Sequence, residues 1–287
     1  MRINTNMQSI TSQRMLRGLI KRTDDLIPKM GQGERIVKAA DDAAGLAISE
    51  KLKAKAGSLA QAERNANDGL SLIQTAEGGL NEIGSMLIRL RELSIQSAND
   101  TSTEDDKKFT QLEIDALKEE INRISQVTEY NGYKLLNGTG QNYSVQVASG
   151  QNAQLSVQVG ADEAEFANTI KYQSNLINST TESLNIDEVN VSTKESSQNN
   201  LEILDKAIDQ IAGYRAELGA KQNRLNSSIN TIQTAHENVL AAKSRIRDLD
   251  YAEATSENTK LNILKEASSS VLAQANVSSR SVLKLIG

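Results

Sequence analysis

The sequence predicts a mainly α fold: a rod-like antiparallel long-helix bundle with a terminal coiled coil and a small β-hairpin region. Three observations point there. Apolar residues recur at 3-4 spacing over segments far longer than an ordinary globular helix. Aromatic residues are only 3% of the 287, with no Trp and a single Pro. Both chain ends carry apolar stripes too sparse for an independent fold. Large rings supply much of a globular core's buried area, so this core must come from Leu, Ile, Val and Ala, which suit long packed helices.

The first long segment places Ile48, Leu52, Leu59, Ala62, Ala66, Ile73, Ala76, Leu80, Ile83, Leu87 and Leu90 on one stripe, with Lys55 and Gly69 at its gaps. A helix from about Ala44 to Ala98 would be roughly 80 Å long at about 1.5 Å per residue. Such a helix needs partners along its length. A second segment (Ile114, Leu117, Ile121, Ile124) and a third can supply them. The third carries Leu201, Leu204, Ile208, Ile211, Leu218, Leu225, Ile229, Ile232, Val239 and Ile246. Arg215, Gln222, His236 and Lys243 share one heptad position in the third stripe and are expected half exposed. Leu80, Ile83, Leu87, Leu204, Ile208 and Ile211 form the expected core stripe.

Between the second and third helices, Asn131-Gly132 and Asn137-Gly138 are turn signals. Tyr143, Val145 and Val147 then alternate with polar residues, as do Leu155, Val157 and Val159, which predicts a hairpin closed over 148–154. Residues 160–200 are rich in Ser, Thr and Asn and read as a surface excursion with little core of its own. The ends pair by pattern. An assembly seam is expected from Ile3, Met7 and Ile10 at one end and Leu261, Leu264, Val271 and Leu283 at the other. The divisions are therefore a terminal helix (1–43), core-rod helices and turn (44–140), hairpin and excursion (141–196), a core-rod helix (197–249) and a second terminal helix (250–287).

Composition narrows function by exclusion. Lys+Arg number 32 against 37 Asp+Glu, a net charge of −5 without a basic stripe, so no nucleic-acid site is expected. There are no cysteines to form disulfides or thiolate metal sites. The amino terminus has no apolar signal region, and no run of about 18 apolar residues exists for membrane insertion. These rules alone would place the protein in the cytoplasm. Asp41-Asp42 reads as helix capping rather than a metal or catalytic pair. Gly31-Gln32-Gly33 reads as a turn, because no strand precedes it. His236, the single histidine, has no companion for metal binding or base catalysis. No cofactor, metal or enzymatic activity is expected. Asn178-Ser179-Thr180 and Asn190-Val191-Ser192 match the glycosylation pattern, as an Asn- and Ser-rich segment does by composition.

Several long motifs carry a resemblance. Ala39-Ala40-Asp41-Asp42-Ala43-Ala44-Gly45-Leu46-Ala47-Ile48-Ser49-Glu50-Lys51-Leu52 is similar to the amino-terminal signature of bacterial flagellins. Asn67-Asp68-Gly69 and Ile73-Gln74-Thr75-Ala76-Glu77-Gly78 follow in the same order. Arg215-Ala216-Glu217-Leu218-Gly219-Ala220, Ser244-Arg245-Ile246-Arg247-Asp248 and Leu272-Ala273-Gln274-Ala275-Asn276 resemble the carboxy-terminal part of that family. Together the motifs span about 1–140 and 197–287.

The resemblance implies a self-assembling subunit of the helical flagellar filament, extracellular and exported through the flagellum's own apparatus. The short middle implies a minimal form without large outer domains. Implied partners are further copies of itself, hook-associated junction and cap proteins, and an export chaperone at the carboxy terminus. The Toll-like flagellin receptor of animals is a further implied partner, through Arg89, Leu93 and Glu113. The alternative is the hook–filament junction protein. One departure stands out. Pro28 interrupts the first terminal segment, and proline chemistry predicts a kink or an end to that helix near Ile27.

Overall fold

The computed structural model describes residues 5–100, 102–139, 142–147, 169–173 and 177–286. Its elements are α1 (Met7–Gln32), α2 (Ala43–Ser97), α3 (Glu104–Val127), β1 (Glu129–Tyr130), β2 (Tyr133–Lys134), β3 (Asn142–Gln146), β4 (Thr169–Gln173), α4 (Lys194–Arg247) and α5 (Tyr251–Ile286). The chain divides into two compact units, Gly57–His236 and the combination of Met1–Ala56 with Glu237–Gly287.

Each helix starts where a short polar side chain can serve its unpaired amides. Asn6 accepts from Ser9 N at 3.1 Å, Asp42 from Gly45 N at 2.9 Å and Asp250 from Ala252 N at 2.9 Å. Thr103 and Asp106 form a reciprocal capping box at the head of α3, where Glu104 and Asp105 add negative charge.

In the unit Gly57–His236, α2 and α4 run antiparallel. Glu63 meets Gln233 (2.7 Å), Glu77 meets Gln222 (2.6 Å) and Arg91 meets Asp205 (2.7 Å), so positions rising along α2 fall along α4. Leu80, Ile83, Leu87, Leu90, Ile114, Ile121, Leu204 and Ile211 are buried together as the core. Ile208 is only half-buried, because Ala207 takes the inner position beside it. Gln222 is half-buried and His236 likewise, as their shared heptad position predicts, whereas Arg215 is exposed.

One strand partner and one correction emerge in the connecting segment. β3 pairs antiparallel with β4, placing Val145 opposite Ile170; Leu155, Val157 and Val159, the expected second strand, lie outside the described residues. The expectation that the excursion has little core of its own fails for 177–191. Ile177, Leu184, Ile186, Val189 and Val191 are all buried, as is Tyr172 on β4. The Ser, Thr and Asn between them build turns rather than a solvated excursion. Asn178 Oδ1 accepts from Thr180 N (3.2 Å) and Asn190 Oδ1 from Ser192 N (2.8 Å), so both glycosylation-like triplets are Asx turns. Lys118 donates from α3 to the carbonyls of Asp187 (3.0 Å) and Val189 (2.6 Å) and holds the segment down.

In the other unit, α1 pairs antiparallel with α5. Asn6 donates to the Ala275 carbonyl at 2.9 Å, and at the far end Tyr251 OH donates to the carbonyl of Met30. Pro28 does not end α1. The helix runs one turn further to Gln32 and stops at Gly33, whose φ of 71° supplies the left-handed cap. Proline is tolerated because Asp24, which loses its donor, is exposed and open to water, and because Tyr251 and the Lys29–Asp41 pair (3.0 Å) hold the last turn. Gly31 and Gln32 are accordingly helical, and only Gly33 turns the chain.

The α2 stripe also needs one correction. Ile48 is 50% exposed, and Ser49 and Ala56 occupy the inner positions expected of Ile48 and Lys55. Ser49 can be buried because its hydroxyl donates to the Leu46 carbonyl at 2.9 Å on its own helix.

Candidate assembly surfaces

The α1–α5 pair buries small and polar residues among half-buried leucines. On α1 the inward positions are Ser9, Ser12, Leu16, Leu19, Thr23, Leu26 and Met30, a clean 3-4 spacing. Of these, Ser9, Ser12 and Thr23 are the most deeply buried. Ser12 donates to the Gln8 carbonyl (2.9 Å) and Thr23 to the Leu19 carbonyl (3.0 Å), so neither hydroxyl is buried unsatisfied. Ser9 Oγ reaches Asn276 Oδ1 at 2.9 Å across the seam. On α5 the inward residues are Ala254, Leu261 and Ala275.

Of the expected seam residues that are described, Leu261 lies between the two helices. Met7 is 62% exposed and Val271 57%, and Ile10 and Leu264 are also exposed. Within one subunit these four are therefore left uncovered, and the helices approach through Ser, Thr and Ala together with Leu16, Leu19, Leu26 and Leu261. Ile3 lies outside the described residues. Leu283 belongs to α5, but its side chain lies outside them. Large apolar side chains are exposed on both helices, Met15, Ile20 and Ile27 on α1 and Ile263 and Val277 on α5 beside the four above. A groove lined by Met7, Gln8, Thr11, Ser12, Val271, Gln274 and Ala275 opens along the edge of the seam.

A second surface lies on α2 and α3. Arg89 donates to Glu113 at 2.9 Å across the helices and to Glu92 at 3.2 Å along its own helix. All three side chains are about half exposed. Leu93, grouped with Arg89 and Glu113 by the resemblance, is only 2% exposed and belongs to the core. It cannot present itself to a partner in this conformation. Ile88, Ile95, Phe109 and Leu112 are exposed apolar residues on these helices.

A polar clamp that the sequence did not single out joins the loop after α1 to the end of α4. Arg247 contacts Glu34 at 2.9 Å and Glu50 at 2.5 Å. Arg35 donates to the carbonyls of Arg247 (2.6 Å) and Ile246 (2.7 Å), and Leu249 N to that of Gly33 at 2.9 Å. Hydrogen bonding from Arg247, with help from Lys53, holds the Glu50 carboxyl below the usual glutamate range. No helix is long and apolar enough to cross a membrane, and no group of His, Cys, Asp and Glu could hold a metal, among the described residues.

These surfaces belong to long paired helices rather than to a pocket with chemistry, and comparison with known proteins agrees. A family profile described as the bacterial flagellin N-terminal helical region matches residues 3–141, and one described as the C-terminal helical region matches 201–286. A flagellin of Bacillus subtilis is 40% identical over 308 aligned residues, covering 100% of both chains.

The chain belongs to the bacterial flagellin family.

A flagellin of Halalkalibacterium halodurans is 38% identical, covering 99% of each chain. The crystal structure of Bacillus cereus flagellin superposes with a TM-score of 0.50 at 27% identity, covering 63% of this chain and 94% of that one. A putative flagellar hook-associated protein from Vibrio parahaemolyticus shares the fold, with a TM-score of 0.58 at 16% identity, 72% of this chain and 100% of that one being covered. Flagellins are structural proteins, and this chain is a subunit of the flagellar filament. The whole-length matches to flagellins support that role over the junction alternative.

Proposed function

We propose that the subunit polymerises through the outward face of the α1–α5 pair, with residues 1–43 and 250–287 reaching their final order only against neighbouring copies. One observation carries this reading. The helices meet each other through Ser9, Ser12, Leu16, Leu19, Thr23, Leu26, Ala254, Leu261 and Ala275, while Met7, Ile10, Ile27, Leu264 and Val271 stay exposed. A helix pair that leaves this many large apolar side chains exposed has apolar surface still to cover. Neighbouring subunits cover it. The contact is head-to-tail, since heterologous interfaces are the ones that generate open filaments.

The same exposed α5 face suits an export chaperone before assembly, and hook-associated junction and cap proteins at the filament's ends. Export through the flagellum's own apparatus follows from the same reading. Arg89 and Glu113 are the residues of the receptor motif available to an animal flagellin receptor in the free subunit. Leu93 is not.

The test is seeded polymerisation of purified subunit on short filament fragments, followed by electron microscopy. Long filaments from the seeds are expected. Stubs that stop after one added layer would point to a junction protein. Chains lacking residues 1–40 or 250–287 should stay helical, soluble and unpolymerised, and filaments formed by either truncation would overturn the proposal.

A further inference from the structure

The chain contains two Asn-Gly dipeptides, and their surroundings differ in every respect that governs their chemistry. Asn131-Gly132 forms the turn between β1 and β2, with φ of 52° and 80° at its two positions. Both residues are exposed, and nothing lies within 4 Å of the point where a Cβ on Gly132 would stand. The Asn131 side chain makes no hydrogen bond among the described residues. Asn137-Gly138 is held instead. Asn137 Oδ1 accepts from Thr139 N (3.1 Å) and Thr139 Oγ1 (2.8 Å), and its backbone bridges Asn178. A Cβ on Gly138 would come within 2.9 Å of the Asn178 side chain, so this backbone has no room to swing. The related Asp68-Gly69 sits inside α2, where Val145 packs over the glycine.

We infer that Asn131 is the subunit's site of spontaneous deamidation and isoaspartate formation, and that Asn137, with the same dipeptide, is protected by the fold. In the reaction the Gly132 backbone nitrogen attacks Asn131 Cγ, and a new C–N bond closes a five-membered succinimide. The side-chain nitrogen leaves as ammonia, taking up the proton that the Gly132 amide gives to solvent. Water then opens the ring at either carbonyl, yielding aspartate or isoaspartate, with no oxidation at any step. Glycine favours the attack because it puts no side chain beside the nucleophilic nitrogen and lets the backbone reach the required angles.

The isoaspartate product matters for the fold. It adds a methylene to the backbone of a two-residue turn, whose geometry depends on positive φ at both positions. The pairing of Glu129 with Lys134, and their ion pair at 2.5 Å, is then lost. Leu135 and Leu136, which follow at once and are fully buried, lose the anchor that feeds them into the core.

The experiment ages purified full-length subunit in mildly alkaline buffer made with heavy-oxygen water, then maps the label by peptide mass spectrometry. Label should enter at position 131 at least about tenfold faster than at 137, a difference of about 1.4 kcal/mol in barrier. In denaturant the two rates should converge. Asn178→Gly, which removes every crowding side-chain atom, should speed labelling at 137 without changing 131. Equal rates in the folded subunit, faster labelling at 137, or no labelling at 131 while denatured protein reacts would each overturn the inference.

Discussion

Arg247 joins its guanidinium to the carboxylate of Glu50, 197 residues earlier in the chain, at 2.5 Å. The same group meets Glu34 at 2.9 Å, and its side chain is only 14% exposed. One planar, always-charged fork therefore ties the α1–α2 loop and the start of α2 to the end of α4. Arg247→Ala should cost about 1–2 kcal/mol of stability, seen as a lower Tm and faster amide exchange at Arg35 and Leu249. Arg247→Lys should recover only part of this, because a single ammonium cannot serve both carboxylates. Full recovery by lysine would show that charge alone, without the fork, is sufficient.

The same clamp gives a pH dependence with a definite sign. Glu50 is held below its ordinary value of 4.5, chiefly by the hydrogen bond from Arg247. A carboxyl whose folded pKa is depressed binds fewer protons folded than unfolded, so stability rises with pH across that interval. Its contribution is complete above the ordinary value and is lost as pH falls through the folded one. Glu50→Gln should flatten that acid limb of the thermal-melt profile and leave its neutral-to-alkaline limb with the same slope. An unchanged acid slope would place the acid sensitivity elsewhere, Asp41 being the next candidate, since the Lys38 amide and then Lys29 hold it low.

Two glycines on one helix should respond oppositely to alanine. At Gly69 a Cβ would meet Val145 Cγ2 at 2.7 Å and Cγ1 at 3.2 Å, a stiff branched side chain on a paired strand. At Gly78 nothing lies within 4 Å. Gly78→Ala should therefore stabilise the subunit by about 0.5–1 kcal/mol through helix propensity. Gly69→Ala should destabilise it by about 1–2 kcal/mol through overpacking. Chemical denaturation of both variants decides the matter, and matching signs would mean that Val145 yields freely.

That contrast shows what the sequence could and could not convey. The stripes of α2, α3 and α4 were legible because Leu80, Ile83, Leu87, Ile121 and Leu204 are large, apolar and regularly spaced. The register failed where the inner position holds a small or polar residue. Ser49 beside Ile48, Ala207 beside Ile208, and Ser9 and Ser12 beside Met7 and Ile10 all look wrong on a hydrophobicity count. They are inward because close helix approach needs small side chains, and because each serine hydroxyl finds a partner nearby. A heptad count that scored Ser, Thr and Ala as inner residues would have found the α1–α5 seam. Segment 177–191 misled for another reason: its polar residues close turns locally, and only its five apolar side chains report the core they enter.

Lys118 pins that segment, and its removal tests how. Its ammonium lies between the carbonyls of Asp187 and Val189, with Asp115 at 3.9 Å, and burial pushes its pKa below the ordinary lysine value. Lys118→Met keeps the aliphatic stem but removes the donors. Two carbonyls then lose their partner, at a cost of about 1–3 kcal/mol. Exchange at the Ile186, Val189 and Val191 amides should rise more than exchange in α2. Unchanged exchange there would mean that water or the remaining bond from Val191 N to Gln111 Oε1 (2.9 Å) suffices.

The last prediction separates assembly from folding. Ile10 and Val271 lie on the exposed apolar face, on helices that meet through other residues. Replacing an exposed side chain that makes no specific contact usually changes stability by less than about 0.5 kcal/mol. Ile10→Ser combined with Val271→Ser should therefore leave the circular dichroism and Tm of the free subunit unchanged, yet stop growth on filament seeds. Ser12→Leu makes the complementary test, because it forces a large side chain into the seam where α1 meets α5 and should disturb the pair itself. If the double serine variant polymerises normally, the outward face is not the assembly surface. If it lowers Tm as far as Ser12→Leu does, the two residues serve the fold of the subunit and not its polymer.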